Sequence, residues 1–267
     1  MTIMKIKHVI KKILVLIFGA IGIDAKFSQK NKNRKTIVFD KNQLAQYFYP
    51  NKRMELYFEG LDRVNGKWSD NFSKQLRFYS LQQIIEHVLT LKLDGDFAEC
   101  GCWKGHSSFI ISTLLSKNNF QNQFHIFDSF EGGLSDKTAK DQKDQYGLYA
   151  EETIKEEEMF SSIEENVGKV LEKFDFIKLY KGWIPERFEE VKNQNFSFVH
   201  IDVDLYEPTL DSLEFFYPRL TEKGSIVVDD YGFMQFPGCK RAVDEFLKRN
   251  EFTFFYEMPA GGCFIIK

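Results

Sequence analysis

Four apolar runs in this chain close on carboxylates, and that repetition constrains its fold more than any other feature. Phe97-Ala98 precedes Glu99, and Phe124 to Phe127 precedes Asp128. Phe196 to Ile201 precedes Asp202 and Asp204, and Ser225 to Val228 precedes Asp229-Asp230. Runs of this length, rich in β-branched and aromatic residues, read as strands buried on both faces, which is the pattern of a parallel sheet. In such a sheet every strand ends on the same edge, so the acids collect there. Ligands of open α/β sheets bind beyond that edge. Asp202 and Asp204 are two apart, so an extended chain would project both from one face. Carboxylates so close need a cation, a proton or a polar substrate between them.

The rest of the chain supplies covering helices. A chain of 267 residues, 43% hydrophobic, suffices for one large α/β domain. Helices are predicted over Leu44 to Phe58, Phe78 to Leu93, Phe109 to Leu115, Ser162 to Lys173, Thr209 to Tyr217 and Gly238 to Asn250. Ser162-x-x-Glu165 has the capping-box pattern. Phe176 to Tyr180 is a further strand, ending at Lys181-Gly182-Trp183, and Phe252 to Tyr256 with Cys263 to Ile266 forms a terminal hairpin. Arg63, Trp68 and Asp70 lie in a polar connection that could reach a site. The polar stretch 131–160, opening with Gly132-Gly133, reads as a lid at the ligand edge.

Charge and cysteine usage narrow the function. A net charge of -3 provides no basic field for nucleic acid. The four cysteines, Cys100, Cys102, Cys239 and Cys263, include no CxxC pair and read as packed thiols of a reducing compartment. Ahead of the domain, Lys5, Lys7, Lys11 and Lys12 precede eleven uncharged residues, Ile13 to Ile23. That run is shorter than the roughly 20 residues a bilayer-spanning helix needs. A membrane-surface or docking helix over residues 5–23 is the expectation, beside an ordinary buried helix. Residues 1–40 then form an arm and linker, and 41–267 the domain. The expected location is the cytoplasm, with attachment to the inner membrane face through that arm.

The turn Glu99-Cys-Gly101-Cys-Trp103-Lys-Gly105-His-Ser107-Ser108 joins a strand to a helix. Its glycines allow close backbone approach, and the helix start offers free N–H groups. The glycine spacing is not that of the dinucleotide fingerprint, and no Tyr-x-x-x-Lys occurs, which disfavours a nicotinamide enzyme. Asp128 follows Gly105 by 23 residues, where a Rossmann-like unit places the acid for ribose hydroxyls. Asp202-Val203-Asp204 is also the acid-x-acid pattern with which a glycosyltransferase holds a divalent ion against a nucleotide-sugar, and this is the main alternative.

Four stretches carry a resemblance: Asp96-Phe-Ala-Glu-Cys-Gly-Cys-Trp-Lys-Gly, Phe127-Asp-Ser-Phe-Glu-Gly, His200-Ile-Asp-Val-Asp-Leu-Tyr-Glu-Pro-Thr and Val228-Asp-Asp-Tyr-Gly. On these the chain, from about Tyr57 onward, resembles the macrocin O-methyltransferases, class I S-adenosylmethionine enzymes that methylate sugar hydroxyls. The resemblance implies a Rossmann-like, mostly parallel seven-stranded sheet with helices on both faces and a C-terminal hairpin. It implies that Glu99, Gly101 and Gly105 hold the cofactor's amino-acid end and Asp128 its ribose. Trp103, Ser107, Ser129, Gly182, Trp183 and Asp202 complete the expected cofactor contacts. Asp202, Asp229 and Asp230 match the family's ligands for Mg²⁺ or a similar divalent cation, and Asp204 its general base. His106 stands where the family more often has glycine, and Cys100 and Cys102 where it has Thr or Val. The implied partner is a small-molecule or glycan acceptor, and a homo-oligomer is compatible with it.

Overall fold

A computed structural model describes residues 51–131, 133–142, 160–233 and 235–267, with only the backbone of Trp68. These belong to one compact unit. The expected arm over 1–40, the docking segment 5–23 and most of the expected lid lie outside the described residues.

Two helices come first: α1 (Lys52–Arg63) and α2 (Phe72–Leu91). There follow β1 (Asp96–Cys100), α3 (His106–Lys117), β2 (Phe124–Asp128), α4 (Glu164–Leu171) and β3 (Ile177–Lys181). The chain ends with β4 (Phe196–Ile201), α5 (Tyr206–Arg219), β5 (Leu220–Val228), α6 (Pro237–Arg249), β6 (Phe254–Glu257) and β7 (Cys263–Ile266).

The seven strands form one sheet in the order β3-β2-β1-β4-β5-β7-β6. Pairing is parallel from β3 through β5, and β7 and β6 add antiparallel to that edge. The expected architecture is therefore present, C-terminal hairpin included. Both faces are covered, as the unbroken apolar runs required. Phe97 and Phe198 pack with α1, α2 and α3 on one face. Ala98, Val199 and Ile201 pack with α5 and α6 on the other. The chain order reverses between β1 and β4, which opens a crevice beyond the strand ends at that point.

Several expected boundaries move, and two of the shifts reach the site. Helix α2 begins at Phe72, six residues before the predicted Phe78. Asn71 caps it, its side chain accepting from the Lys74 N–H at 2.9 Å. The extra turn and a half carries Lys74 and Arg77. Helix α4 begins at Glu164 after Ile163, and no side chain caps it. Ser162 is not the expected capping residue; its hydroxyl instead donates to Asp128 at 3.4 Å.

Candidate active site

The turn after β1 is shaped by close approach to β4. Gly101 has φ +79°, and a Cβ there would lie 1.9 Å from the Asp202 carbonyl oxygen, so no side chain fits. Gly105, at φ +83°, ends the turn and opens α3 without a side-chain cap, leaving N–H groups of that helix start for a ligand. Ser107 is buried in the first turn of α3. Asp128, at the end of β2, holds the turn from the other side. Its Oδ2 accepts from the Cys102 and Trp103 N–H groups, each at 2.9 Å, and its Oδ1 from the Phe130 N–H at 3.0 Å. Sequence reasoning assigned this carboxylate to ribose alone. The structure shows it holding the turn through backbone N–H groups.

A cavity opens beyond these strand ends. Gly101, Trp103, Asp128, Ser129, Gly182, Trp183, Asp202 and Asp204 all line it, with Phe127, Phe160 and Ile184 among the apolar walls. Of the expected cofactor contacts, Glu99, Gly105 and Ser107 do not. Glu99 is completely buried: one oxygen accepts from His200 Nδ1–H at 2.9 Å and the other from the Ser108 hydroxyl. Burial alone would lower the His200 pKa. The Glu99 hydrogen bond and charge, with Asp202 and Asp229, outweigh it and raise the pKa.

The acids of β4 and β5 meet. Asp202, Asp229 and Asp230 each present an oxygen within 4.8 Å of the others. Asp229 and Asp230 are buried and Asp202 half-buried. Burial and mutual repulsion push the Asp202 and Asp230 carboxyls well above the ordinary carboxylate range. Asp204 is not one of this trio, although its charge adds to the upward shift at Asp230. The extended path ends at Ile201, and Asp204 sits at φ +60°, so the expected shared strand face with Asp202 does not hold. Asp204 is instead brought against the cluster by that turn, its N–H donating to Asp230 Oδ2 at 3.3 Å.

Two cations come from α2, which sequence reasoning did not connect to the site. Arg77 Nε donates to Asp229 Oδ2 at 2.9 Å, with both side chains largely buried, and its guanidinium stacks on Phe233 at 4.5 Å. Lys74 lies near Asp202 and the Trp103 ring, and burial lowers its pKa against the pull of Asp202. The asparagine cap before Lys74 was the sequence signal that could have extended the helix to include both. Of the connection residues, Asp70 is occupied by the Tyr57 hydroxyl at 2.7 Å and by Gln75, a structural use.

His106 does not face the cavity. It stacks on Phe78 at 4.6 Å, and its Nε2–H donates to the Tyr57 carbonyl at 2.9 Å. The ring fills space between α1 and α2, so the turn tolerates it. All four cysteines are buried free thiols, as expected.

The sequence profile of the macrocin O-methyltransferase family (TylF) matches residues 7–255. The chain belongs to the macrocin O-methyltransferase family. The match begins well before Tyr57, taking in N-terminal residues that the sequence resemblance left outside. The methyltransferase is 27% identical over 205 residues to the demethyldecarbamoylnovobiocin O-methyltransferase of Streptomyces niveus, covering 73% of each chain. It is 28% identical over 179 residues to the 8-demethyl-8-(2,3-dimethoxy-alpha-L-rhamnosyl)-tetracenomycin-C 4'-O-methyltransferase of Streptomyces olivaceus, covering 65% of this chain and 66% of that one. In fold it is similar to the calicheamicin methyltransferase CalS11, at TM-score 0.56 and 16% identity, over 90% of this chain and 99% of that one. The methyltransferase is thus an S-adenosylmethionine-dependent O-methyltransferase, and the glycosyltransferase alternative is set aside.

Proposed function

We propose that this enzyme methylates a hydroxyl group of a sugar, with a divalent cation such as Mg²⁺ held by Asp202, Asp229 and Asp230. The observation that carries the reading is the convergence of these three carboxylates beside a cavity that the glycine turn and Asp128 also border. The donor set is all oxygen, which suits a hard ion, and the burial and repulsion that raise the Asp202 and Asp230 pKa values are what a bound cation would relieve. When bound, such an ion supplies orientation and Lewis-acid polarisation of an oxygen substrate.

The chain's own residues account for the remainder. Gly101 and the start of α3 give backbone access to the cofactor's amino-acid end. Asp128 and Ser129 would hold its ribose, and Trp103, Gly182 and Trp183 line the cavity that would receive it. S-adenosylmethionine, when bound, would supply the methyl group to the acceptor oxygen and leave as S-adenosylhomocysteine, and Asp204 would take the hydroxyl proton. Asp204 fits that role because it borders the cavity and lies outside the carboxylate trio. A sugar acceptor is supported by the relative named for a dimethoxyrhamnosyl compound.

Mass spectrometry of glycans and glycosides from cells with and without the protein tests the reaction. A species lighter by a methyl increment of roughly 14 daltons is expected in its absence; identical spectra would contradict the reading. The segment over residues 5–23 is proposed to attach the enzyme to a membrane surface, and fractionation of a chain lacking residues 1–40 tests this. Unchanged sedimentation with membranes would exclude it. Assembly into a homo-oligomer is proposed as well, and a monomer mass in light scattering would exclude that.

A further inference from the structure

We infer that Lys74 binds the carboxylate of the cofactor's amino-acid end, completing an anion site between α2 and the start of α3. The inference rests on the cofactor seating proposed above. A methionine-like end carries an ammonium and a carboxylate. The acidic strand edge suits the ammonium, and a cation set to one side of that edge suits the carboxylate.

Among the described residues, α2 brings two cations to this edge. Arg77 is committed to Asp229 and stacked on Phe233. Lys74 is not so committed. Its Nζ lies 3.1 Å from the Ser69 hydroxyl, 5.4 Å from the Phe78 ring centre and 5.7 Å from that of Trp103. No carboxylate of a described residue lies within ion-pair distance of it. The nearest acid on its own side, Asp70, is already bonded to Tyr57 and Gln75. Asp202 and Asp229 attract this half-buried ammonium without forming an ion pair, so its direct partners are a hydroxyl and two rings, and an anionic ligand would pair with it directly.

Position supplies the second argument. Trp103 belongs to the glycine turn and lines the cavity. Phe78, the other ring beside Lys74, stacks on His106, the first residue of α3. Lys74 does not itself line the cavity, but it stands beside the Trp103 ring of the turn and, across Phe78, on the side of the first residue of α3. A carboxylate placed there would receive an ammonium from one side and backbone donors from the other.

Calorimetry with two ligands tests this. S-adenosylhomocysteine has the carboxylate; S-adenosyl-3-thiopropylamine keeps the ammonium and lacks only the carboxylate. Lys74→Met is expected to weaken the first about 10- to 100-fold and leave the second within about two-fold, while Lys74→Arg retains most affinity for both. Equal losses for both ligands would reduce Lys74 to a shaping residue and overturn the inference, as would an unchanged affinity for S-adenosylhomocysteine. If the unaltered enzyme binds neither ligand, the cofactor seating itself fails.

Discussion

Asp204 and Asp202 stand two residues apart, yet the structure separates their environments, and so substitutions at each should part as well. Asp202 lies within the carboxylate trio, while Asp204 is swung out of the strand at φ +60° and meets the cluster through its backbone N–H. Asp204→Asn is expected to lower kcat by about 10² to 10⁴ with metal affinity nearly intact, as for a lost general base. Asp202→Asn should weaken metal binding, with activity partly restored at high Mg²⁺. Parallel losses of metal affinity in both variants would make Asp204 a ligand. His106 gives a prediction of another kind. Burial, with Lys74 nearby, depresses its pKa to about 3, while in the unfolded chain it titrates near 6.5. Between those values the unfolded chain binds the proton and the folded one does not. Stability from this residue is therefore full above about pH 6.5 and falls as the pH drops, by up to about 1.4 kcal/mol per pH unit. Denaturant titrations from pH 7 to 4.5 should show a shallower acid loss in His106→Gln; an identical slope would contradict the assignment.

At the scale of elements, α2 shows where sequence reading stops. Its apolar periodicity starts at Phe78, because Ser73, Lys74, Gln75 and Arg77 turn polar groups to the site and to neighbouring loops. A helix turn that faces an active site lacks the apolar stripe that marks a helix turn facing a core. The strands had no such difficulty, since burial on both faces makes them continuous apolar runs with definite ends. The insert after β2 carries another unreadable contact. Asp141 is buried, its Oδ1 accepting from the Tyr206 N–H at 2.7 Å at the start of α5, and nothing in its polar neighbourhood announces this. Arg77 permits a direct test of the element. Arg77→Met leaves Asp229 buried without its partner, so the metal-free enzyme should lose about 3 to 5 kcal/mol of stability. Added Mg²⁺ should then raise the Tm of the variant more than that of the unaltered enzyme, the ion replacing the missing charge. Equal Tm shifts would separate Arg77 from the cluster's charge balance.

For the whole molecule, the sheet order and the reversal between β1 and β4 decide what can be brought together. Glu99, Asp128, Asp202 and Asp229 are distant in sequence and share one edge only because β2-β1-β4-β5 run parallel and adjacent. That convergence was legible, since four apolar runs each closed on an acid. The burial of Glu99 against His200 was not, because which face of β1 points inward depends on packing across the sheet. This edge is proposed to gather one divalent ion beside the cofactor. The most direct test is calorimetric titration of Mg²⁺ into the enzyme saturated with S-adenosylhomocysteine, repeated with Asp229→Asn. One binding site is expected in the unaltered enzyme and none in the variant; no binding to the unaltered enzyme, or equal binding to both, would exclude the ion from this cluster.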